Sequence, residues 1–280
     1  CTKFQILEWE IDEQDIDIYR DKKLGKGSFS IVYLGSLHCT PVAVKELNMG
    51  AELAAESSPL QTSRAVENLR FEIGVMSDIS HPNVLRFLGA VTKPPSFLVV
   101  TEFMPGGSLW KFCRSNDGPI AYHILIKCLK TTARGMAWLH SRKPPILHRD
   151  LHSNNILVKG AGECCVADFG VSDIVGGYQS HSKKLYQRVM PPEVQEDRSN
   201  FTKKSDVYMY GLVIYEVLTK QKALPKIWDL EAKTKDILKF YPLNKGIHEV
   251  IELMKHCTTI DPEKRPNFET IIARLDSIPS

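Results

Sequence analysis

The chain has 280 residues, 43% of them hydrophobic and 25% charged, which is typical of a globular protein with a large buried core. It carries 36 Lys and Arg against 33 Asp and Glu, so the net charge of +3 gives no electrostatic argument for nucleic-acid binding. The longest apolar runs, 97–100 and 211–215, are far shorter than the roughly 20 residues of a membrane-spanning helix. We therefore expect neither a nucleic-acid partner nor a membrane segment in this chain.

The cysteine pattern and the first residue of the chain give expectations about its cellular location. Seven cysteines without a Cys-x-x-Cys pair favour free thiols in a reducing compartment, and we expect a cytoplasmic domain. The chain begins at Cys1 rather than Met and has no signal peptide. We expect an excised domain, with any membrane or other targeting segment in the flanking regions.

Strand patterns dominate the first third of the chain. Segments that alternate β-branched or aromatic residues, with Gly or Pro at the breaks, predict strands at 18–25, 28–37, 40–47, 84–91 and 96–103. One amphipathic helix is predicted at 64–79, where four apolar residues recur at helical spacing: Val66, Leu69, Ile73 and Met76. A Pro-Gly-Gly break follows at 105–107.

The remainder of the chain has mostly helical patterns. Helices are predicted at 123–140, 205–219, 245–258 and 268–278. A strand-rich first third and a helix-rich remainder, without internal repeats, indicate an α+β protein of two lobes joined near 102–107. Ligands commonly bind in clefts between lobes.

Two features of the first lobe suggest an anion site. Gly25 and Gly27 lie where a hairpin would let backbone N–H groups approach an anion, although an ordinary glycine turn has the same pattern. A dinucleotide-binding fold would need a helix directly after the glycines, and a strand pattern follows instead. Lys45 ends the apolar run 42–45, which we expect to be buried on both sides, and Glu72 on the predicted helix is its expected partner. A simply solvated lysine is the alternative.

Six short motifs complete the pattern: GKGSFSIV at 25–32, VAVK at 42–45, HRDLHSNN at 148–155, DFG at 168–170, PPE at 191–193 and DPEKRP at 261–266. With these motifs in this order, the chain resembles the eukaryotic protein-kinase family from about residue 18 to 275. It is most similar to the tyrosine-kinase-like group, the relatives of Raf and mixed-lineage kinases. Segments of that character are WEID at 9–12, HPNVLRFLGAV at 81–91 and GGSLW at 106–110.

The resemblance implies a bilobal α+β protein-kinase fold. After an N-terminal extension at about 1–17, it places a small antiparallel sheet with one main helix at 18–104 and a larger, mostly helical lobe at 105–280. It also implies transfer of the γ-phosphate of ATP, with Mg²⁺ or Mn²⁺, to Ser or Thr hydroxyls of protein substrates in a signalling pathway. Tyrosine or dual specificity stays open, as does a pseudokinase that binds nucleotide without efficient transfer.

Roles for the site residues follow from the resemblance. Asp150 would accept the proton of the substrate hydroxyl, Lys45 would bind phosphates while Glu72 holds it, and Asn155 and Asp168 would ligate the metal. Contacts to ATP are expected from Leu24, Gly25, Lys26, Gly27, Ser28, Val32, Ala43, Lys45, Thr101, Glu102, Met104 and Leu157.

His152 departs from the family pattern, because serine/threonine kinases usually carry Lys two residues after the catalytic Asp. Our hypothesis is that His152 replaces it as a partly protonated donor, so that turnover falls as the ring loses its proton with rising pH. The spacing of His148 and His152 also allows a metal site, but no third ligand accompanies them.

Regulation is expected in the activation segment 168–193. Candidate phosphorylation sites are Ser172, Tyr178, Ser180, Ser182 and Tyr186, modified by an upstream kinase or by trans-autophosphorylation. Arg149 is expected to bind such a phosphate. Glu193 is expected to pair with Arg265, and Asp206 to anchor the backbone around His148.

Overall fold

The computed structural model describes residues 9–27, 30–47, 73–74, 76–93, 96–115, 118–168, 189–223, 234–235, 237–238, 241 and 245–278. The chain divides into two compact units, with a boundary between Met104 and Pro105. That boundary coincides with the Pro-Gly-Gly break in the sequence. The two units are considered separately below.

The first unit contains a five-stranded antiparallel sheet of order β1-β2-β3-β5-β4. Its strands are β1 (Ile16–Lys26), β2 (Ser30–Leu37), β3 (Thr40–Leu47), β4 (Phe87–Val91) and β5 (Leu98–Glu102). All five predicted strands are present, although β4 begins at Phe87 rather than at residue 84. His38 and Cys39 form the two-residue turn between β2 and β3, with the positive φ angles of 47° and 66° that a tight hairpin of this twist needs.

One face of this sheet packs into the core of the unit, through Ile16, Val42, Val44, Val91, Leu98 and Val100. The expectation that the strand carrying Lys45 is buried on both sides is wrong. Val42 and Val44 are fully buried, whereas Ala43 and Lys45 point to the opposite face and are half-buried. The sheet is antiparallel, and such sheets commonly bury one face more than the other.

Part of the predicted helix at 64–79 is described. Residues 73–74 and 76–77 are helical, and Ile73 and Met76 are buried, as the amphipathic pattern predicts. Val66, Leu69 and Glu72 lie outside the described residues.

The second unit is mainly helical. Its helices are α1 (Leu109–Arg114), α2 (Tyr122–Ser141), α3 (Pro192–Glu196), α4 (Lys203–Thr219), α5 (Lys245–Cys257) and α6 (Phe268–Ser277). All four predicted helices are present. The sequence did not predict the two-stranded hairpin formed by β6 (Ile156–Gly160) and β7 (Glu163–Val166).

Helix α4 is the centre of this unit. Its residues are buried from Ser205 to Thr219, and α2, α5 and α1 contact it. A Thr202 capping box begins the helix, and Tyr210 donates a hydrogen bond of 2.8 Å to the Leu129 carbonyl of α2. Two carboxylates of α4, Asp206 and Glu216, therefore have fixed, buried positions from which to hold neighbouring loops.

Within the described part of the chain, no helix combines the length and apolarity needed to cross a bilayer.

Candidate active site

The strand register places four predicted ATP contacts on one face of the first unit's sheet. Val32 lies opposite Lys45, and Ala43 lies opposite Thr101. Directly opposed residues share a face, and residues two apart in a strand do as well. Val32, Ala43, Lys45 and Thr101 therefore line the face that does not carry the Val42 core, and each is half-buried.

The glycines lie in a hairpin, as predicted, with strand β2 following them. Gly25 pairs with Val32, and the Gly27 N–H donates to the Ser30 carbonyl at 2.7 Å. A Cβ at Gly25 would meet no atom within 4 Å, so a phosphate group could approach the backbone there. Leu24 is half-buried and Lys26 is exposed, while Ser28 lies outside the described residues.

The remaining predicted ATP contacts among the described residues are Glu102, Met104 and Leu157. The Glu102 N–H donates to the Arg86 carbonyl at 3.0 Å, and its carboxylate accepts the Arg86 N–H at 2.9 Å, which fixes the end of β5. Met104 is buried. Leu157, in the second unit, lies on β6 opposite Ser108 and is half-buried.

Asp206 anchors the start of the catalytic loop 148–155, as predicted. This carboxylate is fully buried and accepts the N–H groups of His148 at 2.9 Å and Arg149 at 3.0 Å. His140 Nε2 lies 2.8 Å from the same carboxylate. The anchored Arg149 has a φ angle of +64°, which costs about 1–2 kcal/mol in a residue other than glycine and so needs such an anchor.

Asp150 and Asn155 are in direct contact. The Asn155 amide nitrogen donates to the Asp150 carboxylate at 3.1 Å and to its backbone carbonyl at 2.9 Å. The Ala167 N–H donates to the Asn155 carbonyl at 2.8 Å, which ties this pair to the residue before Asp168. The structure thus brings the three predicted polar residues of the second unit into one region.

The donor chemistry of this region fits a divalent metal ion. The amide nitrogen of Asn155 is used on Asp150, which directs the amide oxygen away as a ligand atom, and the carboxylate of Asp168 is exposed. Amide and carboxylate oxygens are the donors that Mg²⁺ and Mn²⁺ prefer. The ring nitrogens of His148 have other contacts: Nδ1 accepts the Asp150 N–H at 3.3 Å, and Nε2 lies 3.0 Å from the Ala167 carbonyl.

His152 contacts both the loop backbone and Asp150. Its Nδ1 accepts the Asn154 N–H at 3.1 Å, and its Nε2 lies 3.5 Å from the Asp150 carboxylate. These contacts place the ring beside Asp150, and its role as a partly protonated donor stays a prediction.

Glu193 and Arg265 form the predicted ion pair. Arg265 is buried and uses every N–H of its guanidinium: two on the Glu193 carboxylate, at 2.7 and 2.8 Å, and the others on the carbonyls of Lys204, Thr259 and Ile260. Burial by itself would raise the pKa of the Glu193 carboxyl, but the hydrogen bonds that it accepts outweigh burial and lower its pKa below the usual value.

Sequence reasoning missed a second anchor of the catalytic loop. Ser153 donates from both its N–H and its hydroxyl to Glu216 of α4. The only signal for it in the sequence is that Glu216 is the one charged residue within 207–219 of α4. Several other predicted residues lie outside the described part of the chain and remain predictions: Ser28, Glu72, Ser172, Tyr178, Ser180, Ser182 and Tyr186.

Comparisons with known proteins agree with the motifs. A family model described as protein tyrosine and serine/threonine kinase matches residues 18–275. Probable serine/threonine-protein kinase drkA of Dictyostelium discoideum is 33% identical over 278 residues, which cover 96% of this chain and 41% of that protein. Serine/threonine-protein kinase CTR1 of Arabidopsis thaliana is 34% identical over 277 residues, covering 94% of this chain and 32% of the relative.

A further relative, probable serine/threonine-protein kinase drkB of Dictyostelium discoideum, is 32% identical over 276 residues, covering 95% of this chain and 38% of that protein. The chain therefore spans less than half the length of these relatives. Use of ATP and a divalent metal is general in the matched family. The prediction from the motifs is confirmed: the chain belongs to the protein kinase family, and its relatives include members of the tyrosine-kinase-like group.

Proposed function

We propose that this chain is the catalytic domain of a serine/threonine-protein kinase, which transfers the γ-phosphate of ATP to hydroxyl groups of protein substrates. The observation that carries the proposal is the fixed Asp150 carboxylate, held by the Asn155 amide within a loop that Asp206 anchors. The names of the relatives support serine and threonine as acceptors.

In the proposed mechanism, Asp150 orients the substrate hydroxyl and accepts its proton as the oxygen attacks the γ-phosphorus. The bond from the γ-phosphorus to the β–γ bridging oxygen breaks, and ADP leaves. Phosphoryl transfer depends on positioning and charge stabilisation rather than on covalent chemistry by the protein. The hydrogen bonds from Asn155 hold the Asp150 carboxylate in one orientation, and the Asp150 side chain is 25% exposed, so a substrate can reach it.

The proposal assigns the phosphates of ATP to Lys45 and the Gly25–Gly27 backbone. Lys45 supplies a cation, with Glu72 as its proposed partner, and the hairpin supplies N–H groups near a glycine that leaves room for an anion. Val32 and Ala43, on the same sheet face as Lys45, offer apolar contacts for the adenine base of ATP.

Asn155 and Asp168 would hold the metal through oxygen, and we propose Mg²⁺, with Mn²⁺ accepted by the same donors. When bound, the ion offsets negative charge on the phosphate oxygens. The role of the chain is to direct the Asn155 oxygen toward the ion by using the amide nitrogen on Asp150.

We further propose that phosphorylation of the segment 168–193, by an upstream kinase or by a second copy of the chain, controls activity in a signalling pathway. A phosphate there would pair with Arg149, which is exposed. A cytoplasmic location is proposed from the free thiols of Cys39, Cys113, Cys128, Cys164, Cys165 and Cys257.

The test is incubation of the protein with γ-labelled ATP, Mg²⁺ and a generic protein substrate, followed by phosphoamino-acid analysis. We expect phosphoserine and phosphothreonine well above the level given by Asp150→Asn. Asp276→Asn is the matched control, because Asp276 is an exposed residue of α6 that pairs with Lys130 of α2, and it should behave as wild type. Phosphotyrosine alone would overturn the proposed specificity, and no label above Asp150→Asn would indicate a nucleotide-binding scaffold.

A further inference from the structure

The end of the catalytic loop is fixed by Ser153. This residue is 1% exposed, and its N–H and hydroxyl donate to the same Glu216 oxygen at 3.2 and 2.5 Å. Its carbonyl accepts the Trp110 N–H of α1 at 3.0 Å. Every polar group of Ser153 therefore has a partner outside the loop.

Glu216 requires a cation because its carboxylate is buried within α4, where the residue is 6% exposed. Lys222 supplies the cation: its Nζ lies 3.3 Å from the second Glu216 oxygen and donates to the Ser153 hydroxyl at 3.2 Å. The same ammonium lies 3.8 Å from the centre of the Trp110 ring, a favourable cation–π position. We call Trp110, Ser153, Glu216 and Lys222 the Ser153 brace.

The brace complements the anchor at Asp206. Asp206 and Glu216 are both buried carboxylates of α4, and they hold opposite ends of the loop that contains Asp150. Ser153 is flanked by His152 and Asn154, and the next residue is Asn155, whose amide holds Asp150. A shift of Ser153 would therefore move the groups that orient the Asp150 carboxylate.

We propose that Glu216 and Lys222 are positioning residues for phosphoryl transfer, acting through Ser153 on Asn155 and Asp150. This inference rests on the proposed kinase function. One oxygen of the Glu216 carboxylate accepts both the N–H and the hydroxyl of Ser153, and the other pairs with the Lys222 ammonium, so the pair holds Ser153 in place.

The physical argument predicts a sign for the coupling. In Lys222→Met, the Glu216 carboxylate stays buried without its cation, and the cost of that unpaired charge displaces the carboxylate and the Ser153 that it holds. In the double variant Lys222→Met with Glu216→Gln, no unpaired charge remains and the amide oxygen still accepts from Ser153. The double variant should therefore be more active than Lys222→Met alone.

The kinetic experiment measures kcat and the KM for ATP with a generic protein substrate. We expect Lys222→Met to lower kcat about tenfold while the KM for ATP changes less than about twofold, because the brace acts on loop geometry. Lys222→Arg should stay within about threefold of wild type, since it keeps the charge. Lys255→Met is the matched control, because Lys255 pairs with Glu252 on the surface of α5. Unchanged kcat in Lys222→Met, or a double variant worse than it, would overturn the proposal.

A second readout does not depend on catalysis. Hydrogen exchange should show faster exchange of the Ser153 amide in Lys222→Met than in wild type, and unchanged exchange in Lys255→Met. Equal rates in Lys222→Met and wild type would overturn the brace. Faster exchange in a protein that shows no phosphate transfer would keep the brace and reject the proposed function, so the two failures are distinguishable.

Discussion

Replacing Asp206 with asparagine should uncouple the catalytic loop from helix α4. Asp206 accepts hydrogen bonds from the backbone N–H groups of His148 and Arg149, and His140 Nε2 lies 2.8 Å from it. An amide has one acceptor oxygen and one donor nitrogen, so in either orientation the substituted side chain directs N–H groups at a backbone N–H. The carboxylate is fully buried, and water cannot replace the lost acceptor.

The size of the effect can be worked from these contacts. In the less costly orientation one backbone N–H loses its acceptor, which costs about 1–3 kcal/mol, and the other two bonds lose the contribution of the charge, about 1 kcal/mol each. The sum, about 3–5 kcal/mol, equals the usual cost of breaking a buried ionic contact. Release of Arg149 from its positive φ would return about 1–2 kcal/mol by letting the loop relax, and that relaxation displaces Asp150.

Two measurements check this prediction. Urea denaturation should show the loss of stability in Asp206→Asn, and steady-state kinetics should show kcat reduced about 100-fold, the usual effect of a misplacement of about 1 Å. Asp276→Asn, on the surface, serves as the control in both. If Asp206→Asn loses less than about 1 kcal/mol and keeps kcat within about threefold, the anchoring role is wrong.

Three further predictions concern the second unit and the thiols. Arg265→Met should lower the free energy of unfolding, measured with urea, by about 3–5 kcal/mol, because it leaves the Glu193 carboxylate without its guanidinium partner. Lys264→Met, which replaces the exposed neighbouring residue, should lower it by less than about 0.5 kcal/mol. Similar losses in both variants would contradict the burial argument. The lowered pKa of Glu193 means that its contribution to stability is present above the ordinary value of 4.5 and is lost as pH falls through the folded-state pKa. Stability measured against pH should therefore fall less steeply at acid pH in Glu193→Gln than in wild type, and parallel curves would refute the linkage. Burial raises the pKa of the Cys113 thiol to about 12, so at pH 8 a thiol reagent followed by mass spectrometry should label the exposed Cys39 rapidly and Cys113 only on unfolding; comparable labelling of both would contradict it.

The elements that the sequence predicted well are those with a repeated local pattern. Strands β1, β2 and β3 are rich in β-branched and aromatic residues, and each of the four predicted helices spans ten or more residues of apolar-rich sequence. The hairpin of β6 and β7 was missed because its strands, of five and four residues, give too little periodicity by themselves. The equally short β4 and β5 lie within strand-like segments of eight residues, 84–91 and 96–103.

Long-range contacts explain the remaining differences at the site. The family resemblance predicted Asp150, Asn155 and Asp168 as site residues and Asp206 as an anchor. The contact between Ser153 and Glu216 joins residues 63 positions apart, and no local pattern encodes it. The burial of Lys45 was misjudged for a related reason: the apolar run 42–45 shows that the strand is buried, but the pairing with β2 and β5 decides which face is.

The role of Asp150 as the acceptor of the substrate proton is tested most directly by the initial rate of phosphate transfer at saturating ATP. The wild-type protein, Asp150→Asn and Asp276→Asn should be compared in the same Mg²⁺ buffer. We predict that Asp150→Asn is slower than wild type by about 10²–10⁴-fold, the contribution of a general base, and that Asp276→Asn matches wild type. Equal rates for wild type and Asp150→Asn would contradict the mechanism.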